Sequence, residues 1–600
     1  MTTRRATTLF WLLVVVAILG QPLSTSAANL LAQFDGLSNS DNVAITGSSL
    51  LPPDNGVAVG KNDVFEMVNI VGRLTDKLGG NISSFSLRSF FGVDASFSGE
   101  SDPRVLYDVA SGRWFATYLQ FSIPRASSSI ILAVSTTGDP RGTFCRYRLG
   151  NPTSEIFLQD FPMVGTSDDK IVVTYNGFAF LATSIGGFIG GGAYVLKKAD
   201  LLAGGCASQV GLVRLPPDSS RFTLQPAQSL GSTSDLFLAM HSRDSSTLIL
   251  FRISGIPGVT SVTETPVSLP IRAWASPPQA LQASSSVVLD TNDDRVLSVS
   301  WQQNSLWVAG TEACTPPGDT AARSCLRLIE VRTDTSSVRQ DMSFGVTGQY
   351  YSFPALRPDA ARNLHVVFTS SSANSFASVR VAGRLATDPL NTLRPSIEIR
   401  AGLGAQTSLS GRMGDYAGAA VDPTAPLSVW VSGEYMGSTA SAPWRTYIAR
   451  LEFANPAPAA HPDFDGDAKA DIGVYRPSTG IWYVLRSSDG TPQLVTWGAS
   501  GDVPVTGDFD GDGKTDVATF RPSTGIWYIL RSSDGKLQQV TWGAPGDVPV
   551  TGDFDGDGKT DVATYRPSTG IWYILRSSDG KLHQVTWGAV GDQPLALRHR

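Results

Sequence analysis

Three aspartate-rich stretches near the end of the chain have the spacing of an oxygen-donor metal site. They run Asp463-Phe464-Asp465-Gly466-Asp467-Ala468-Lys469-Ala470-Asp471, then Asp508 to Asp516, then Asp553 to Asp561. In each, carboxylates fall at positions 1, 3, 5 and 9: Asp463, Asp465, Asp467 and Asp471; Asp508, Asp510, Asp512 and Asp516; Asp553, Asp555, Asp557 and Asp561. Alternate side chains around a tight turn can converge on one centre. The peptide carbonyl of position 7 (Lys469, Lys514, Lys559) can join them while the lysine side chain faces solvent. A cation of calcium's size takes about six to eight such oxygens at about 2.3–2.6 Å, so about three structural Ca2+ ions are expected. A solvated acidic turn that binds nothing is the plain alternative. Repetition at fixed phase, with Gly511 and Gly556 to ease the turn, speaks against it. An EF-hand is excluded, since it needs a bidentate Glu at position 12 and flanking helices.

The loops must be held by strands. Starts at 463, 508 and 553 set a period of 508 − 463 = 553 − 508 = 45 residues. Between loops come Val517-Ala518-Thr519-Phe520, Ile526-Trp527-Tyr528-Ile529-Leu530 and Leu537 to Trp542, β-branched and aromatic runs cut by Gly, Pro, Asp and Ser. The unit Gly-Asp-Val-Pro-Val-Thr-Gly-Asp-Phe-Asp-Gly-Asp-Gly-Lys-Thr-Asp at 501–516, followed by Val-Ala-Thr-Phe-Arg-Pro, resembles the FG-GAP/VCBS repeat of bacterial surface and secreted proteins. That resemblance covers 463 to 597. It implies one four-stranded blade per repeat (463–507, 508–552, 553–600), structurally bound calcium, and adhesion or recognition, with no catalytic residue. Ala468 stands where Gly513 and Gly558 stand in the other copies. A Cβ at a positive-φ position costs about 1 kcal/mol or more, so the first site should be the weakest. Gly-Asp-x-Pro segments begin at Gly501, Gly546 and Gly591, and none precedes Asp463. Residues 591–597 are therefore expected beside 461–475, completing the first unit.

The 600 residues exceed one core and fit two to four domains. Acidic residues outnumber basic ones, 53 to 47, so no nucleic-acid partner is indicated. Low charge with 59 Gly and 36 Pro fits a turn-rich, all-β chain. Arg4 and Arg5, the apolar run Leu9 to Leu19 and the small residues ending at Ala28 read as a signal peptide over 1–28. The apolar run is too short for the roughly 20 residues of a membrane span. A secreted or cell-surface protein is expected, with no membrane span. Four cysteines in an exported chain predict disulfides: Cys314 with Cys325 across a Pro-Pro-Gly loop, leaving Cys145 with Cys206.

Residues 29–453 show seven irregular units of about 60 residues, beginning near Pro53, Pro103, Pro162, Pro226, Ser286, Pro354 and Tyr416. Paired apolar segments without helical periodicity predict a seven-bladed β-propeller, a pair of β-sandwiches being the alternative. In the fifth unit the two apolar runs are Val287-Val288-Leu289-Asp290 and Val296 to Trp301. Residues 454–462, rich in Pro and Ala, read as a semi-rigid linker. Through Asp102-Pro103-Arg104-Val105, Ser111-Gly112-Arg113-Trp114 and Arg412 to Gly418, the segment loosely resembles secreted bacterial propellers of sialidase-like architecture. In that setting Asp102, Arg104, Arg412, Asp415 and Tyr416 form a candidate ligand site. A glycosidase would use Arg104 and Arg412 to clamp a carboxylate, Asp102, Asp415 or Glu434 as acid–base, and Tyr416 or Tyr435 as nucleophile. Arg-Ile-Pro and Asp-box signatures are missing, as is an evident third arginine. No His/Cys spacing suits zinc. A non-catalytic calcium-binding protein that recognises an extracellular glycan or protein is the expectation, with a sialidase-like glycoside hydrolase as the alternative. Trp482, Trp527 and Trp572 recur in phase and serve either as core residues or as sugar platforms.

Overall fold

A computed structural model describes residues 28–150, 156–242, 246–440, 443–453, 462–467 and 469–594. The expected signal peptide up to residue 27, the expected linker up to residue 461, Ala468 and residues 595–600 lie outside the described residues. The chain is nearly all β, 52% strand against 3% helix.

Five four-stranded antiparallel sheets and one nine-stranded sheet, itself two four-stranded antiparallel halves joined through one short strand, form the seven blades of the propeller. In chain order their inner strands are Gly56–Val59, Gly99–Asp108, Phe157–Thr166, Gln225–Pro226, Val296–Gln302, Tyr350–Pro358 and Gly418–Val421. Val57, Leu106, Met163, Gln225, Leu297, Ala355 and Ala419, one from each blade, wall a single central channel. That shared channel makes the seven blades one ring. The third and fifth blades are also bridged by Gln228–Ser229, which pairs in parallel with both. The seventh blade takes Gly418–Val421, Val429–Met436 and Trp444–Glu452, and its outermost strand is Asn29–Ser38 from the start of the chain. Asn29 lies opposite Glu452, and Phe34 opposite Ile448.

Burial explains the strand sequences. Second strands such as Leu236–His241 and Val429–Met436 are buried throughout, since neighbouring blades cover both faces. They therefore read as unbroken apolar runs rather than alternating ones. The outer strand Leu212–Asp218 alternates between exposed and half-buried residues. Between blades the core is aromatic: Phe65, Trp114 and Tyr118 pack together between the first and second. In the fifth unit the sequence phase is corrected by one strand. Val296–Gln302 is the inner strand, whereas Val287-Val288-Leu289-Asp290 lies in the preceding connection, where Leu289 bridges Ala280. The run is too short to hold a ladder, and it ends in the Asp290–Arg295 turns, where Asp290 and Asp293 cap backbone amides.

Two disulfides join Cys145 to Cys206 and Cys314 to Cys325, as the sequence predicts. The first ties the outer strand Phe144–Leu149 of the second blade to the segment after the helix Lys198–Leu202 of the third. The second pins two neighbouring strands of the fifth blade at their ends.

The three repeats are successive sheets. The second comprises Val503–Gly507, Asp516–Arg521, Ile526–Leu530 and Leu537–Thr541, and the third comprises Val548–Gly552, Asp561–Arg566, Ile571–Leu575 and Leu582–Thr586. In these two sheets the acidic loop joins the first strand to the second, whereas the loop at Asp463 precedes the strand Ile472–Arg476. The first sheet departs from the expected four strands. Among the described residues it has three, Ile472–Arg476, Ile481–Leu485 and Pro492–Thr496. Among the described residues no strand equivalent to Val503–Gly507 covers it, and Ile472 and Val474 are 70% and 61% exposed, where their counterparts Val517 and Thr519 are buried. Pro594, the last described residue, lines a cavity of about 430 Å3 with Pro462, Gly473, Tyr475 and Val550. Pro594 thus faces the same cavity as the first sheet, and among the described residues no strand pairing joins the 591–597 segment to 461–475.

Neighbouring repeats are stitched twice. The indole N–H groups of Trp497 and Trp542 donate to the carbonyls of Tyr528 and Tyr573 in the following repeat, at 3.0 and 2.9 Å. The amides of Thr515 and Thr560 donate back to the carbonyls of Asp463 and Asp508.

Candidate functional site

The acidic loops bring carboxylates together as their spacing predicts, with one difference in the third. Ligand atoms from Asp463, Asp465 and Asp471 lie within 4.8 Å of one another, as do those from Asp508, Asp510 and Asp516, and those from Asp553, Asp555 and Asp557. Positions 1 and 3 recur throughout, while the third carboxylate is position 9 in two loops and position 5 in the last. The remaining carboxylates are held by serines. Asp467 and Asp512 accept the hydroxyls of Ser487 and Ser532 at 2.8 and 2.9 Å, and Asp561 accepts the amide of Ser577 at 2.6 Å.

Glycine makes this convergence possible. Gly466, Gly511 and Gly556 have φ of 84°, 80° and 79°, a region costly for any residue with a Cβ. Their amides donate to Asp463, Asp508 and Asp553 at 2.6–2.7 Å. Gly513 and Gly558, with φ of 88° and 87°, donate to Asp508 and Asp553 as well. The lysine side chains are only partly as expected. The stem of Lys514 lies across Gly466 and that of Lys559 across Gly511, each covering the loop of the preceding repeat. Burial pushes the Asp508 carboxyl up to about 6, with Asp512 and Asp516 adding repulsion. A bound cation relieves such crowding. Hard carboxylate and carbonyl oxygens are calcium's ligands, so the residues present fit that ion.

The second constellation lies at one mouth of the propeller. There Asp54, Asp102, Phe161 and Phe353 adopt left-handed φ of 54–57°. The inner strands shift register between Ser101 and Arg104, between Asp160 and Met163, and between Ser352 and Ala355. Such bulges re-aim side chains at a rim. All five candidates from the sequence meet here. The Arg104 guanidinium lies 3.1 Å over the Tyr416 ring, the Tyr416 hydroxyl donates to the Pro103 carbonyl at 3.2 Å, and Arg412 pairs with Asp415 at 2.6 Å.

The buried carboxylates mostly hold backbone. Asp102 accepts the Phe161 amide at 3.0 Å and Asp54 accepts the Asp415 amide at 2.7 Å. Asn69 links the pair, donating to Asp54 and accepting from the Asp102 amide. Burial, reinforced by Asp415, pushes Asp102 up to about 6. Burial likewise drives Asp54 and Glu434 well above the usual carboxylate range. Tyr435 does not join the mouth. It follows Glu434 on the opposite face of the strand, and its hydroxyl donates to Asp35 at 2.7 Å.

Sequence reasoning missed Asp160 and Arg295. Burial and Asp102 push Asp160 up to about 8, against the pull of Arg295 and Arg412. Arg295 forks onto Asp293 at 2.6 and 2.7 Å, with its guanidinium 4.9 and 5.1 Å from the Phe161 and Phe222 rings. The sequence signal is indirect: Asp160 precedes Phe161-Pro162, and Phe161 takes the same left-handed, pre-proline place as Asp102 before Pro103. Arg412, Asp415, Asp290 and Asp293 are the partly exposed groups of this rim. Trp482 and Trp527 are buried and donate to the carbonyls of Trp497 and Trp542, so these two are core residues rather than sugar platforms. Trp572 makes the same bond to the Trp587 carbonyl.

Residues 508–564 match the family model of the FG-GAP-like repeat. No curated protein sequence matches the chain. Solved structures with similar folds include a protein of unknown function from Dyadobacter fermentans, at 12% identity and TM-score 0.35, over 71% of this chain and 99% of that one. Trypanosoma rangeli sialidase is similar at 10% identity and TM-score 0.33, over 91% and 90% of the two chains. The GH93 α-L-arabinofuranosidase of Fusarium graminearum is similar at 10% identity and TM-score 0.34, over 58% and 93%.

Proposed function

We propose that this is an exported, calcium-binding recognition or adhesion protein without catalytic activity, whose ligand is an extracellular glycan or protein. The observation that carries this function is the use of the mouth carboxylates. Asp54 and Asp102 are buried, and each has an oxygen committed to an amide of another blade. They lock the ring rather than face a substrate. The rim around Arg412 and Asp415 remains to meet a ligand. The loops at Asp463, Asp508 and Asp553 would hold calcium structurally, each cation joining chain segments that otherwise repel. Two disulfides accord with an oxidising compartment.

A glycoside hydrolase is the second function, favoured by one observation: Asp160, pushed up to about 8, lies near Arg295 and Arg412, and Asp102, pushed up to about 6, lies near both Asp160 and Arg104. A glycan array probed with and without chelator, beside sialidase and arabinofuranosidase assays, separates the two. Recognition predicts binding that weakens on chelation, with no turnover. Turnover lost in Asp160→Asn would establish the hydrolase instead.

A further inference from the structure

The central channel encloses about 70 Å3 and is lined by two arginines, Arg104 of the second blade and Arg357 of the sixth, together with Gln225, Gln228 and Ser298. Nε and Nη2 of Arg104 and Nε of Arg357 are buried without a hydrogen-bond partner among the described residues. The bonds Arg357 does make are to neutral oxygens, the Leu356 carbonyl at 3.1 Å and the Gln228 side chain at 2.9 Å. Arg104 has counter-charges on its mouth side in Asp54, Asp102 and Asp415. Arg357 has none. Among the described residues the charged group acting on it is Arg104, of the same sign. A guanidinium stays protonated at any ordinary pH, and a buried charge left unpaired is strongly unfavourable.

We propose that the channel holds a small inorganic anion, chloride, between Arg104 and Arg357. The unpartnered N–H groups supply its ligands, and the uncompensated charge of Arg357 supplies the attraction. The space selects for size. By this measure a water needs about 10–15 Å3, so the channel admits a few atoms and no sugar or peptide carboxylate. The second and sixth blades lie nearly opposite in the ring, so the anion ties the propeller across its axis.

Melting of the full chain in sodium chloride and in sodium isethionate, at equal ionic strength, tests this. Chloride should raise Tm saturably by several degrees, bromide should replace it, and Arg357→Gln should abolish the difference. Arg332→Gln, at a surface arginine paired with Asp334, should keep it. Equal melting in the two salts, or an Arg357→Gln protein with undiminished chloride dependence, would overturn the proposal. Chloride NMR line widths on the unmodified protein decide the matter if the variant does not fold. Excess broadening displaced by bromide supports the site, and no excess broadening overturns it.

Discussion

The Asp102 carboxylate accepts the backbone amide of Phe161 at 3.0 Å, so an acid of the second blade holds the bulged inner strand of the third. Charge is secondary to that bond. Asp102→Ala should therefore destabilise the propeller by about 1–3 kcal/mol. Asp102→Asn keeps an acceptor and should cost less than half as much by urea denaturation.

Raised carboxyl groups give the propeller a defined pH response. Asp102, Glu66 and Asp160 are pushed up to about 6, 7 and 8, chiefly by burial. The folded state then binds protons that the unfolded state has released, so these groups favour folding below about pH 4. Their contribution is lost as pH rises through 6 to 8. Asp160→Asn should be closest to wild type at about pH 4 and below, and should gain several degrees in Tm relative to it at pH 9. Parallel Tm–pH curves for the two proteins would contradict this.

Chelation should act on the repeats and spare the propeller. EDTA should lower the melting of a 462–600 fragment and leave a 29–453 fragment nearly unchanged, by calorimetry. Asp510→Ala should cost more than Asp465→Ala, because Ala468 replaces the glycine that at Gly513 donates to Asp508.

The indoles between repeats allow an internal comparison. Trp542 is half-buried and bonds to Tyr573, whereas Trp587 makes no such indole bond among the described residues and is 78% exposed. Trp542→Ala should cost about 2 kcal/mol more than Trp587→Ala in chemical denaturation. Equal losses would mean that the stitching is not energetic.

Reduction should hurt the longer crosslink more. The disulfides close separations of 61 and 11 residues, worth about 4 and about 3 kcal/mol in chain entropy. Paired Cys→Ala variants, followed by their melting temperatures, would check the order.

How much was legible depended on distance along the chain. The acidic loops were readable because their ligands lie within nine residues and glycine marks the turn. The inner blades were readable because strands covered on both faces must be apolar. Val287-Val288-Leu289 misled the phase of the fifth blade, since a short β-branched run looks alike in a strand and in a connection. Asp160 and Arg295 come from the third and fifth blades, and ring closure alone makes them neighbours. The same holds for Arg104 and Arg357, whose meeting no local pattern announces.

The strand Asn29–Ser38 has a kinetic consequence. The Thr446 hydroxyl donates to the carbonyl of Leu37, 409 positions away, and the last blade is incomplete until that partner arrives. Loop closure on this scale is slow, and it comes after the more local hairpins. A chain emerging from a ribosome or a translocon would hold its first strand unpaired while six blades formed behind it. Such an edge invites pairing with other chains during that interval. Commitment to the native ring is thus a late event, set by delivery of residues 444–452 rather than by the stability of any single blade.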